Sequence, residues 1–93
     1  MTYPLLYPVQ LPTGETVAIL ELRRPTVRDL KAMDSAKGEI DKIATMLRQI
    51  AVDSATGKPL TTTAVELIDA EDFTRLGEVV AGFFEASPPT GTI

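Results

Sequence analysis

The chain of 93 residues contains no cysteine and no histidine. Without cysteine it can form neither a disulfide nor a thiolate zinc site, and nothing in the sequence points to an oxidising compartment. Without histidine it lacks the most common general base near neutral pH and the most common metal ligand. Carboxylates, lysine and tyrosine can still serve in catalysis, so the composition lowers the expectation of an enzyme without excluding one. We predict a non-enzymatic protein with no cofactor and no metal.

Long apolar runs and phosphate-binding loops are missing as well. No stretch approaches the roughly 20 apolar residues of a membrane span, and the first residues lack the basic start and apolar core of a signal peptide. Neither a Gly-x-Gly-x-x-Gly run nor a Walker-type run occurs. We therefore expect a cytoplasmic location and no membrane partner.

An excess of basic residues, which nucleic-acid binding requires, is also absent. The formal net charge is −4 and the sequence pI is about 4.6. Residues 1–63 hold eight basic and seven acidic side chains, whereas residues 64–93 hold one basic and six acidic ones. Because affinity for nucleic acid comes largely from Lys and Arg on phosphates, we expect no nucleic-acid partner.

The first quarter of the chain predicts a β-hairpin. Pro12 and Gly14 suit the turn between its two strands. Pro4 and Pro8 cannot donate to a ladder, which favours an edge position for the first strand. The apolar residues recur at period two and should share one face of each strand: Leu5, Tyr7, Val9 and Leu11 in the first, and Ala18, Leu20 and Leu22 in the second.

Helical patterns fill the rest of the chain. A short helix is predicted from about Val27 to Ala36, and a last helix from about Ala70 to Glu85 with Asp69 as its N-cap. A short turn of helix is predicted shortly before the last helix, with Thr61 to Thr63 as possible N-caps. The clearest helix has an apolar stripe at steps of three and four: Ile40, Ile43, Ala44, Leu47, Ile50 and Ala51.

Strands followed by helices predict an α+β fold, with an N-terminal β-hairpin and three to four short helices in a single small domain. Residues 1–86 should form that domain. Residues 87–93 contain two prolines and a glycine and should form a flexible tail.

Two sets of residues are candidates for binding a partner. Six apolar residues on the two longest helices can form an exposed edge, or they can be core: Leu47, Ile50, Leu76, Val80, Phe83 and Phe84. Four basic residues can form a patch for an acidic partner or a weak nucleic-acid contact: Arg23, Arg24, Arg28 and Lys31. The alternative for the basic set is a solvated rim paired with Glu21, Asp29 or the acidic last helix.

A third cluster, of Asp69, Glu71 and Asp72, carries the residue type of a catalytic carboxylate pair. Its position at the start of the last helix favours capping and a favourable interaction with the helix dipole. No organised pocket is signalled beside it.

Three segments together resemble one family. The segment 20–30 reads LELRRPTVRDL, the segment 67–76 reads LIDAEDFTRL, and Val80–Phe84 is an apolar finish. In order and spacing they resemble the tail assembly chaperones of contractile-tailed (Mu-like and P2-like) phages. The resemblance extends over roughly Val9 to Phe84.

The resemblance implies a non-enzymatic assembly factor that binds the tape measure protein, helps to recruit tail tube subunits and is absent from the finished virion. Many such proteins are made in two lengths by a translational frameshift.

Self-association stays open, since a thin hairpin needs cover at its edge. The alternatives are a structural tail or connector subunit that pairs hairpin edges between copies, and a small DNA-binding regulator that uses the basic patch.

Overall fold

A computed structural model describes residues 1–85 of the chain, with side chains through Phe83. Its three strands, β1 (Thr2–Gln10), β2 (Thr16–Leu22) and β3 (Ala51–Asp53), form one antiparallel sheet in the order β1-β2-β3. The helices of this part of the chain are α1 (Val27–Asp34), α2 (Glu39–Ile50), α3 (Thr62–Glu66) and α4 (Ala70–Glu85). The predicted α+β class with an N-terminal hairpin is confirmed. The predicted tail, residues 87–93, lies outside the described residues.

The hairpin turns where Pro12 and Gly14 predict it. The Gly14 N–H donates to the Leu11 carbonyl at 2.9 Å, and the Leu11 N–H donates to the Glu15 carbonyl at 2.8 Å. Gly14 has a φ of +93°, which a residue with a side chain rarely adopts. The glycine is therefore needed to return the chain into β2.

An irregularity in the hairpin changes which side chains point inward. Pro4 pairs with Ile19, but Val9 pairs with Val17, so five steps along β1 match two along β2. The three extra residues form a bulge in β1 that contains Tyr7, and opposite it the buried positions of β2 change parity, from Val17 to Leu20 and Leu22. Tyr7 is 52% exposed for this reason, and Ala18 is exposed while Val17 is buried. The period-two prediction was wrong for Tyr7 and Ala18.

Helix α2 buries its C-terminal half and runs directly into β3. Ile40, predicted on its apolar stripe, is 75% exposed, whereas Met46 is fully buried. Ala51 was predicted to end the helical stripe, but it begins β3 and pairs with Leu22. The burial of Ala51 does not distinguish the end of a helix from the start of a strand, since the residue would face the core in both cases.

The core lies between the sheet and the helices, with Leu20, Met46, Leu47 and Leu76 fully buried at its centre. Helices α2 and α4 approach closely at Gly77, where an added Cβ would lie 3.0 Å from Ile43 Cδ1. Gly82 has open space around it, so of the two glycines of α4 only Gly77 serves the helix packing.

Candidate partner-binding surface

A buried carboxylate joins α4 to the bulge in β1. Asp72 has no exposed surface. It accepts hydrogen bonds from the Leu6 N–H at 3.0 Å, the Tyr7 N–H at 3.0 Å and the Tyr3 hydroxyl at 3.1 Å. Burial of the phenol and its hydrogen bond to the carboxylate raise the pKa of Tyr3. Asp72 therefore satisfies two backbone groups that the bulge takes out of the sheet ladder.

The three acidic residues at the start of α4 thus have three different tasks. Asp69 caps the helix, because its carboxylate accepts from the Glu71 N–H at 2.9 Å. Glu71 pairs with Arg75 one turn along the helix at 3.2 Å. Asp72 was predicted as part of the cap. Its connection to β1 depends on contacts 65 to 69 residues away, which no local pattern indicates.

A second buried carboxylate holds the junction between β2 and α1. Asp29 is fully buried and accepts two hydrogen bonds from the guanidinium of Arg23, at 2.7 and 3.0 Å. The Thr26 N–H donates to it at 2.7 Å, which supplies the carboxylate half of a capping box. The Arg23 hydrogen bonds, together with those from Thr26, lower the pKa of Asp29 to about 2.

One of the four basic candidates, Arg23, is held by hydrogen bonds within the chain. Besides Asp29, Arg23 donates to the backbone carbonyls of Gln49 at 2.9 Å and Arg24 at 3.1 Å, so it joins the ends of β2 and α2. For Arg23, these hydrogen bonds favour the second alternative from the sequence, in which the basic side chain pairs with a carboxylate of its own chain. Arg24, Arg28 and Lys31 are exposed.

Most of the six apolar candidates belong to the core. Leu47 and Leu76 are fully buried, Ile50 is 2% exposed and Val80 is 5% exposed, while Phe83 is half-buried against the same cluster. At the four buried positions the structure favours the core alternative. The side chain of Phe84 lies outside the described part of the chain.

Both edges of the sheet are partly blocked over the described residues. At β1, Pro4 and Pro8 have no N–H, and the N–H groups of Leu6 and Tyr7 are bound by Asp72. At β3, the segment 58–60 lies alongside, with the Asp53 N–H donating to the Lys58 carbonyl at 2.9 Å. A partner strand therefore finds few free backbone groups, which disfavours pairing of hairpin edges between copies.

Apolar side chains also line two grooves between the helices. One groove of about 310 Å³, which we call the α1–α2–α4 groove, lies where α2 and α4 meet at Gly77. Its apolar lining is Met33, Ile43, Gly77, Val80 and Ala81, and Glu39 and Lys42 stand at its rim. Val80 is the predicted partner-binding residue that lines it.

A second groove lies on the other side of the first turns of α2. This α2–α3–α4 groove has a volume of about 290 Å³ and is lined by Ile40, Ala44, Val65, Glu66, Ile68, Ala70 and Phe73. A shallower depression of about 530 Å³ continues it past Ile40 and adds Lys37, Glu39 and Asp41. Ile40 projects at 75% exposure between the two, whereas the sequence pattern only placed it on the apolar stripe of this helix.

Within residues 1–85, no group of three acidic side chains is placed to hold a metal ion. No helix of that part combines the length and the apolar character needed to cross a bilayer.

The fold and the grooves define a small α+β protein whose prominent surface features suit protein binding. A family model confirms this class: the model described as "Phage tail assembly chaperone proteins, E, or 41 or 14" matches residues 2–85. The chain belongs to this family of phage tail assembly chaperones. Comparisons with curated proteins and with solved structures gave no match.

Proposed function

We propose that this protein binds the tape measure protein of a contractile-tailed phage and keeps its apolar helical segments soluble while the tail tube assembles. It acts in the host cytoplasm, recruits tail tube subunits, is not an enzyme, and is left out of the mature virion. The observation that carries the proposal is the match to the tail assembly chaperone family over residues 2–85. The grooves between the helices support it, because apolar side chains at the edge of the core line them.

We assign tape measure binding to the α1–α2–α4 groove. Its walls come from three helices, a geometry that suits an amphipathic helix laid with its apolar side inward. The opposite charges of Glu39 and Lys42 at its rim can pair with charges on either side of such a helix. Of the earlier candidates, Val80 forms part of the floor.

Co-expression with the cognate tape measure protein tests the proposal. We expect the tape measure protein to become soluble and to co-elute with this chain in affinity capture and size-exclusion chromatography. The protein should be absent from purified virions. A tape measure protein that stays insoluble, beside a chaperone that elutes alone, would contradict the proposal, and presence in virions would favour a structural tail subunit.

The groove is tested by placing a charge in it. Ala81 is exposed and lines the groove, so Ala81→Asp should leave the domain folded and abolish capture of the tape measure protein. Thr74→Asp is the matched control, since Thr74 is exposed on the same helix and lines neither groove. Equal capture by the two variants would show that the tape measure protein binds elsewhere.

A further inference from the structure

The outer face of α1 is apolar and basic. Val27 is 68% exposed and Leu30 is 40% exposed, and their spacing of three places them together on the helix. Arg24, Arg28 and Lys31 are exposed around them, against the single carboxylate of Asp34. We call these six residues the α1 face; their formal charge is +2 (three basic, one acidic). Arg23 is not part of it, because Asp29 holds that guanidinium.

The α2–α3–α4 groove has the complementary character. Counted together with the depression that continues it past Ile40, its acidic residues are Glu39, Asp41 and Glu66, against Lys37, which gives a formal charge of −2. Glu39 and Glu66 form no ion pair with any residue in the described part of the chain. Ile40 and Phe73 supply apolar surface between these charges.

We propose that the α1 face of one copy docks into the α2–α3–α4 groove of a second copy. Complementary charge brings the two surfaces together, and the exposed Val27 and Leu30 then cover Ile40. A helix in a groove between helices is a common recognition geometry. Within one copy α1 does not fill this groove, since Val27 stays largely exposed.

The contact is head-to-tail, because the two surfaces lie on different helices. Each docked pair therefore retains one free α1 face and one free groove and can add further copies. Helix α1 has eight residues and is about 12 Å long, so the buried area falls in the small, transient class of interfaces. We expect weak association that increases with protein concentration and decreases with added salt.

Charge reversal tests the proposal with the protein alone. In one variant Arg28→Glu and Lys31→Glu make the α1 face acidic, and in the other Glu39→Lys and Glu66→Lys make the groove basic. Each variant then carries like charges on both surfaces, and its self-association should weaken at least about tenfold, equal to about 1.4 kcal/mol. In an equimolar mixture every contact between the two different variants is complementary, so association should return.

The controls carry the same net charges with both surfaces intact. Lys42→Glu with Lys58→Glu matches the first variant, and Glu15→Lys with Glu78→Lys matches the second. These chains should self-associate as the wild type does. Association is measured by sedimentation velocity from micromolar to millimolar concentration, and circular dichroism confirms that each variant is folded.

Two results would overturn the proposal. A wild-type chain that stays monomeric at millimolar concentration and low salt excludes the contact. Association that survives both reversals, or that does not return in the mixture, assigns self-association to another surface. The experiment contains no tape measure protein, so its outcome is independent of the function proposed above.

Discussion

The pairing of Arg23 with Asp29 yields a pH-dependent prediction. Asp29→Asn keeps the shape of the side chain but removes its charge, and it turns an amide group toward Arg23 or Thr26 in place of an acceptor. We expect the variant to be less stable at pH 7, because both donors lose a charged acceptor. The guanidinium is half exposed and can turn to water.

The magnitude follows from the pKa of Asp29, which is lowered from 3.8 to about 2. At about 1.36 kcal/mol per unit this corresponds to about 2.4 kcal/mol. Solvent around Arg23 screens the pair, so we expect a loss of about 1–2 kcal/mol. Since the folded-state pKa lies below the unfolded one, the stabilisation is complete above about pH 5. It disappears as the pH falls through 4 toward 2, where the folded protein also takes up the proton.

Urea unfolding of the wild type and the variant at several pH values measures this difference. Other carboxylates change the stability of both proteins alike, so the difference between them isolates Asp29. Asp34→Asn is the matched control, because Asp34 is exposed on the same helix and should differ from the wild type by less than about 0.5 kcal/mol. A difference for Asp29→Asn that is the same at pH 7 and at pH 2.5 would refute the assignment.

Three further substitutions test the packing by the same unfolding measurement. Asp72→Ala should cost about 3 kcal/mol or more, since it leaves the Leu6 and Tyr7 N–H groups without their acceptor; a loss below about 1 kcal/mol would show that water replaces it. Leu76→Ala should cost about 2–5 kcal/mol, because the side chain is fully buried. Ile40→Ala should change stability by less than about 0.5 kcal/mol, since Ile40 is 75% exposed; a large loss there would place Ile40 in the core.

The fold class and the ends of several elements could be predicted from local patterns. The α4 helix runs from Ala70 to Glu85 as predicted, and the hydroxyl of Thr61 caps α3 by accepting from the Ala64 N–H at 3.1 Å. Capping residues, turn residues and apolar spacing act over a few neighbouring residues, so these features can be read without the fold. The resemblance to tail assembly chaperones also rested on short segments in order, and the family match confirms the family.

The binding surface could not be predicted in the same way. A period of three to four identifies the apolar side of a helix, but it does not say how much of that side a neighbouring element covers. Ile40 and Leu47 lie on one predicted stripe of α2, yet the first is largely exposed and the second is fully buried. The difference arises because neighbouring elements cover only part of α2, whose buried residues all lie in its C-terminal half.

Sequence alone thus determined an acidic α+β domain without thiol or imidazole chemistry, its hairpin turn, its helix caps and its family. Tertiary structure decided which residues are core and which are surface, the addition of β3, and the tasks of Asp29 and Asp72. The physical reason is the range of the interactions. Caps and turns are satisfied by neighbours along the chain, whereas burial and the partners of a buried carboxylate depend on residues that folding brings together, as with Asp72 and the bulge in β1.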